Sequence, residues 1–289
     1  MKKNQYPTWL HQKLTPLSAA STTASTLQKN LLFSVCEEAK CPNRGYCFAK
    51  KRAAFLVLGN RCTRNCGFCN ISFSPCPAPA DEKEPQRLAK TVKEMNLSHV
   101  VITMVTRDDL PDGGALHIKK IIKKIKEIPS KITIEILTSD FGGNFLSLQT
   151  ALEEKPDIFN HNLETTSRLT KYLRHKARYK KSLSILQAAK NLNKARFIKS
   201  GLMVGLGETT NEVRQTISDL KNVGVDIITI GQYLQPHPQK RKVKEFISPS
   251  IFQEYKKFGQ SIGIKYMLTG PFVRSSYLAD QILEKLSSF

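Results

Sequence analysis

The chain reads as an α/β protein whose parallel strands curl into an incomplete barrel. Three observations lead there. Short apolar runs alternate with amphipathic stretches of helical length, the pattern of βαβ units. About six such units lie between Ala53 and Leu268. Polar or glycine-rich segments also follow the apolar runs in turn, as loops at the C-terminal rim of a barrel do.

The expected strands are Ala53–Leu58, His99–Met104, Lys131–Leu137, Pro156–Asn160, Phe197–Val204 and Asp226–Ile230, with Lys265–Leu268 a further candidate. Helices are expected near Glu84–Asn96, Gly114–Ile128, Asn144–Glu154, Lys180–Asn193, Thr210–Val223 and Pro249–Ile262. A last helix, about Ser276–Leu286, closes the chain, and residues 1 to about 30 read as an irregular polar arm. The segments after the six strands are NRCTRNC, TRDDLPDGG, TSDFGG, HNLET, GLGE and GQYLQP. On a barrel they converge on one cavity.

With 289 residues, 40% of them hydrophobic, the chain can bury a substantial core. It has no apolar run of the ~18 residues that a membrane helix needs. The N-terminal MKKNQYPTWLHQKL is basic but lacks the apolar core of a secretion signal, so a cytoplasmic location and no membrane partner are expected. Lys+Arg total 45 against 24 Asp+Glu, a net charge of +21. Such a field attracts polyanions and acidic protein surfaces. A Lys-rich solvated surface accounts for it equally well; Lys119-Lys120 and Lys123-Lys124 look like exposed helix faces. No nucleic-acid motif accompanies the charge, so no nucleic-acid partner is expected.

The seven cysteines, Cys36, Cys41, Cys47, Cys62, Cys66, Cys69 and Cys76, fall within 41 residues, and none follows. Disulfides are uncommon in cytosolic chains of this size, so dense spacing points to metal ligation. Cys62, Cys66 and Cys69 form C-x3-C-x2-C. Three such thiolates hold three irons of a [4Fe–4S] cluster and leave the fourth iron for a small chelating molecule. Zinc asks for four closed ligands, or three plus a water. Cys76 as the fourth would need an awkward loop through Ser-Phe-Ser-Pro, and it reads as a free thiol. Upstream, Cys36, Cys41 and Cys47 form C-x4-C-x5-C. A second iron–sulfur cluster and a small zinc knot both fit that spacing.

The C-x3-C-x2-C motif after a strand resembles the radical S-adenosylmethionine superfamily. That resemblance implies an open iron that chelates S-adenosylmethionine, reductive cleavage to a 5′-deoxyadenosyl radical, and Phe68 lying along the adenine. The two triads together resemble the lipoyl synthase family over nearly the whole chain. The motifs that carry this are Cys41-Pro-Asn, Leu58-Gly-Asn-Arg-Cys62-Thr-Arg, Val105-Thr-Arg-Asp-Asp-Leu-Pro-Asp-Gly-Gly-Ala115, His161-Asn-Leu-Glu-Thr165, Lys199-Ser-Gly-Leu-Met-Val-Gly-Leu-Gly-Glu208, Thr229-Ile-Gly-Gln-Tyr-Leu-Gln-Pro236 and Arg274-Ser-Ser-Tyr277. Two positions depart from the usual family pattern: Phe48 stands where Trp is frequent and Leu278 where His is frequent. Neither is an expected ligand.

The resemblance implies a partial (β/α)6 TIM-type barrel over 53–270, an N-terminal arm with an auxiliary cluster motif over 1–52, and a C-terminal helical extension over 271–289. It implies two [4Fe–4S] clusters and two S-adenosylmethionine molecules per product. The reaction implied is sulfur insertion at C6 and C8 of a protein-bound octanoyl-lysine. An unactivated C–H bond is beyond a general base, so cofactor chemistry is needed. Sulfur would come from the cluster held by Cys36, Cys41 and Cys47, with Ser275, in preference to Ser276, as its fourth ligand and Arg274 beside it. A Ser-Ser N-cap on the last helix is the simpler alternative. Thr106, Asn162 and Glu164 are candidates for holding S-adenosylmethionine, and the Gly205-Leu-Gly207 backbone for approaching it; as a plain glycine pair it is only a turn. His161 and His237 read as hydrogen-bonding residues.

The partners implied are octanoylated lipoyl carrier domains (2-oxoacid dehydrogenase E2 subunits and the glycine cleavage H protein), an electron donor such as flavodoxin or ferredoxin, and an iron–sulfur cluster carrier. A basic rim would steer an acidic carrier. The alternatives are another radical sulfur-inserting enzyme, of the biotin-synthase or tRNA-methylthiolating kind, and a zinc-bound nucleic-acid adaptor.

Overall fold

The apolar runs become neighbouring strands of one sheet. The computed structural model describes residues 6–12 and 17–286. In chain order, α1 (Leu17–Lys29), β1 (Phe33–Ser34), α2 (Val35–Glu38) and α3 (Arg44–Ala49) precede the first barrel strand, β2 (Ala54–Val57). A short pair, β3 (Arg61–Cys62) and β4 (Ser72–Phe73), frames the second cysteine triad. Then follow α4 (Glu84–Glu94), β5 (His99–Met104), α5 (Ala115–Lys126), β6 (Thr133–Leu137), α6 (Phe145–Ala151), β7 (Ile158–Asn160), α7 (Ser167–Leu173), α8 (Tyr179–Leu192) and β8 (Phe197–Val204). The chain ends with α9 (Thr210–Asn222), β9 (Ile227–Gln232), α10 (Pro249–Ser261), β10 (Tyr266–Gly270) and α11 (Ala279–Leu286).

The main sheet has the order β1-β2-β5-β6-β7-β8-β9-β10, with β1 antiparallel and the other seven parallel. β1 and β10 end the order without pairing, so the barrel is open on one side. Helices cover the outer face, and β2 and β9 are buried at every residue, as both-face-covered parallel strands are. In α5 the isoleucines 118, 121, 122 and 125 are buried, and lysines 120, 123 and 126 face solvent. The paired lysines do lie toward the solvent side of this helix.

Two segments differ from the sequence expectation. Residues 17–29, expected to be irregular, form α1. Its Ser and Thr residues are weak helix formers, so docking decides. Leu27 is buried, and Thr23 Oγ1 donates to the Phe48 carbonyl at 2.8 Å. α7 forms where no helix was expected, because Leu169 and Leu173 are buried there over too short a run to show a period.

The two chain ends clasp one another. Asn43 Nδ2 donates to the Phe272 carbonyl at 2.6 Å, and Arg52 pairs with Asp280. Ile282 and Leu283 of α11 pack on Ile158, Phe197 and Ile227, the first residues of β7, β8 and β9. α11 therefore plugs the N-terminal end of the barrel and leaves the C-terminal end for chemistry.

Candidate active site

The loop that carries Cys62, Cys66 and Cys69 is fixed at both ends. Thr63 donates to the Thr106 carbonyl from both its N–H and its hydroxyl, each at 3.0 Å, and its Oγ1 accepts from the Asp108 N–H at 2.9 Å. Arg64 lies between two of the cysteines and forks onto Asp108 (Nε 2.9 Å, Nη2 2.7 Å) while reaching Asp140 at 2.7 Å. Burial opposes ionisation of both carboxyls, yet the Arg64 guanidinium holds them below the usual range. On the other flank, Gly67 donates to the Leu173 carbonyl at 2.8 Å, and Arg241 N–H donates to Gly67 O at 2.9 Å.

Cys36, Cys47, Cys66 and Cys69 lie close enough to other cysteines of their own triads for those charges to raise their pKa. Burial is the larger cause: it pushes Cys36 and Cys69 up to about 12 and Cys47 to about 11, and raises Cys66. Such thiols stay protonated at neutral pH until a metal displaces the proton. Among the described residues no three His, Cys, Asp or Glu side chains converge on a single metal ion. A four-iron cube does not require that, since each thiolate binds a different iron. Cys76 is exposed and outside both groups.

Both groups reach one cavity of about 400 Å³. Its walls include Cys36, Cys41, Cys62, Cys66 and Cys69, together with Phe68, Thr106, Asn162, Glu164, Arg274, Ser275 and Ser276. A second cavity of about 280 Å³ lies behind the first triad, lined by Cys36, Cys41, Cys47, Arg274 and Ser276. Cys47 lines only this second space, and Ser276 shares both cavities with the cysteines. Ser275 lines only the first cavity, and there its hydroxyl accepts from Asn162 Nδ2 at 2.7 Å. Arg274 is close enough to Cys41 to feel its charge, although burial lowers the arginine's pKa.

Gly231 at the end of β9 makes this meeting possible. A Cβ there would sit 1.9 Å from the Val273 carbonyl oxygen, so only glycine lets the Val273–Ser276 segment cross the strand end. Gly231→Ala is expected to displace that segment and lower the iron bound per chain after anaerobic reconstitution to about half. Iron analysis beside unchanged far-UV circular dichroism checks it.

The polar residues sort themselves by contact. Asn162 Nδ2 also donates to Glu164 Oε1 at 3.1 Å, while its buried Oδ1 has no partner among the described residues. Glu164 has φ 66°, an uncommon conformation for a non-glycine, held by backbone bonds to Gly201 and Met203. Burial raises its pKa against the pull of Arg174 and Asn162. Arg174, buried beside Glu164 and Cys66, escaped the sequence reading; inside the run Arg-His-Lys-Ala-Arg it looks like one more surface cation. Its Nη1 donates to Ser182 Oγ at 2.9 Å, and Ser182 stands 2.9 Å from His161 Nε2. Burial lowers His161 to about 4, so the ring is neutral and its Nδ1–H donates to the Thr138 carbonyl.

Gly205 and Gly207 fit the plain-turn alternative, for they do not line the cavity. Both have positive φ and form a turn closed by the Glu208 carboxylate on the Gly205 and Leu206 N–H groups. His237 Nδ1 accepts from the Gln239 N–H at 3.2 Å, and its carbonyl accepts from the Lys240 N–H at 2.9 Å.

The donors present suit an iron–sulfur cluster and a zwitterionic cofactor. Three thiols stand at one wall; Asn162, Thr138 and Asp140 line the same space, and their buried Oδ1, Oγ1 and Oδ2 atoms have no partner among the described residues. Gly201 leaves room there: a Cβ would stand 2.8 Å from Asn162 Oδ1.

Comparison with known proteins agrees with this geometry. The family model for the radical SAM superfamily matches residues 56–220. The lipoyl synthase of Protochlamydia amoebophila (strain UWE25) is 52% identical over 281 residues, covering 96% of this chain and 87% of that protein. The lipoyl synthase of Caldicellulosiruptor saccharolyticus is 45% identical, covering 97% and 98%. Among solved structures, methylornithine synthase superposes with a TM-score of 0.55 at 11% identity over 96% of this chain and 89% of that one, a likeness of fold. Two cysteine triads on one open α/β barrel, with close relatives along almost its whole length, place this chain in the lipoyl synthase family of the radical SAM superfamily.

Proposed function

We propose that this chain inserts two sulfur atoms, at C6 and C8, into an octanoyl group carried on a lysine of a lipoyl carrier domain. The observation that carries the reading is the single cavity reached by both triads. Cys62, Cys66 and Cys69 would each hold one iron of a [4Fe–4S] cluster. Cys36, Cys41 and Cys47 would hold three irons of a second. Ser276 is better placed than Ser275 as its fourth ligand, because Ser276 lines both cavities with those cysteines whereas Asn162 occupies Ser275. A hard hydroxyl oxygen matches iron less well than thiolate, which suits a cluster that is dismantled. When bound, the first cluster and two molecules of S-adenosylmethionine per product supply radicals able to take hydrogen from unactivated C–H bonds, and the second cluster supplies the sulfur.

The chain's own residues bind, orient and exclude water. Arg64 locks the cysteine loop to the ends of β5 and β6 through Asp108 and Asp140. Asn162, Glu164 and Thr106 present polar groups to S-adenosylmethionine, and Phe68 offers it a flat apolar face. Arg174 keeps positive charge beside Cys66 and Glu164 and so favours their ionised forms, against burial. Leu56, Met104, Leu202 and Met203 give the cavity an apolar wall for an alkyl chain. Residues 1–52 and 271–289 act together as the holder of the second cluster. Octanoylated carrier domains, a one-electron donor and a cluster carrier are the partners this reaction needs, and no helix among the described residues is long and apolar enough to cross a membrane.

The test is anaerobic incubation of the reconstituted protein with an octanoyl-lysine peptide, S-adenosylmethionine and a reductant. Mass spectrometry should show 5′-deoxyadenosine and a peptide carrying two added sulfurs. A peptide left unchanged while a tRNA gains a methylthio group would move the chain to a different reaction.

A further inference from the structure

The outer side of the Cys66 loop is ringed by cations. From Thr165 to Gly207 the chain has 43 residues, 11 of them Lys or Arg and none Asp or Glu; from Ile227 to Lys244 it has four cations and no acid. A Lys-rich composition does not by itself remove acids, for 24 of them occur elsewhere in the chain. The fold brings residues 173–175 of the first stretch and 240–241 of the second to the same loop; elsewhere in the first, Arg168, Lys190 and Lys199 are paired with Glu212, Asp226 and Glu135. The exposed His175 accepts from the Asn65 N–H at 3.1 Å, and Leu173 O accepts from Gly67 N–H at 2.8 Å. From the other stretch, Arg241 N–H donates to Gly67 O at 2.9 Å, and Lys240 Nζ donates to Asn65 Oδ1 at 3.2 Å. Lys171, Lys176, Arg178, Lys242 and Lys244 are exposed around these links. Among the described residues none of the five is paired with a carboxylate.

The links end on the peptide groups either side of Cys66, one hydrogen bond from the surface. An acyl chain has to pass inside, between the two triads. A partner seated on the collar comes close to Cys66 without entering the cavity, which is what an electron donor needs and an acyl carrier does not. We propose that this collar docks an acidic one-electron carrier protein, which delivers its electron through residues 65–67 to the cluster held by Cys62, Cys66 and Cys69. The donor is oxidised by one electron and the cluster reduced by one; no bond forms or breaks and no group moves. The proposal rests on the cluster assignment made above.

The experiment uses reconstituted holoenzyme with S-adenosylmethionine and no acyl substrate, measures the Kd for flavodoxin, an acidic protein, which collar substitutions and salt should both raise, and follows 5′-deoxyadenosine formation driven by reduced flavodoxin. The comparison is the double variant Lys176→Glu with Lys242→Glu. Lys176 already has φ 59°, so glutamate changes its charge and asks for no new backbone state. The wild-type rate should fall as salt rises, and at low salt the variant should be slower by about tenfold or more. Reduced methyl viologen, a small cation, should drive both proteins without loss in the variant. A variant as fast as wild type with flavodoxin, or slowed equally with viologen, overturns the proposal. So does a raised KM for an octanoylated carrier domain with flavodoxin-driven cleavage unchanged, which would give the face to the carrier. Wild-type protein that takes up no iron would sink the cluster assignment itself, and this proposal with it.

Discussion

Cys41→Ala is expected to keep S-adenosylmethionine cleavage within about twofold of wild type while sulfur insertion falls to background, and Cys66→Ala to lower both by about 10³-fold or more. The physical reason is the division of labour proposed for the two triads. Cys66 belongs to the loop clamped by Arg64 and flanked by Arg174, beside the polar residues assigned to S-adenosylmethionine. Cys41 belongs to the segment clasped to the C-terminal end through Asn43 and Phe272, with Arg274 beside it. Removing Cys41 therefore leaves the first site intact and deprives the reaction of its sulfur. Ser276→Ala should behave as a milder Cys41→Ala, with loss of iron on turnover. Ser275→Ala should instead disturb Asn162, raising the KM for S-adenosylmethionine with the second cluster in place. Chromatographic counting of 5′-deoxyadenosine against thiolated peptide separates these outcomes. Normal thiolation by Cys41→Ala would end the sacrificial role of the second cluster.

Glu135→Ala is expected to destabilise the chain by about 3–5 kcal/mol and lower the melting midpoint by about 10 °C. Glu135 on β6 and Lys199 on β8 are both wholly buried inside the barrel, joined at 2.9 Å, with Asn160 of β7 donating to the same carboxylate at 2.9 Å. Deleting the acid leaves an ammonium in a dry interior with no counter-charge. Breaking such a pair costs more than the pair is worth, because its desolvation has already offset most of its Coulomb gain. The double replacement Glu135→Met with Lys199→Met should recover most of the loss. Anaerobic thermal unfolding of the three proteins checks this, and a Glu135→Ala midpoint equal to wild type would mean that water reaches the pair.

Strand and helix alternation was legible because burial on both faces writes itself as continuous apolar runs such as Ala53–Leu58. α1 was not legible, since its Ser, Thr and Ala residues become helical only when Leu27 and Thr23 meet α3. The cysteines announced themselves by chemistry and spacing. Arg174 did not, because a buried cation and a surface cation look the same in a row of letters. The roles of Ser275 and Ser276 were likewise inseparable in sequence, where neighbouring identical residues carry no direction.

By itself the sequence determined the chemistry available, two groups of three thiols on a βα-repeating chain, because thiol ligation depends on residue type and local spacing. Only the tertiary structure decided that both groups look into one cavity, that Gly231 lets the C-terminal segment reach the Cys36–Cys47 group, and that two acid-free stretches separated by 19 residues of chain meet beside Cys66. Those are contacts between distant parts of the chain, and distance along a sequence says nothing of distance in space until packing has chosen which faces meet.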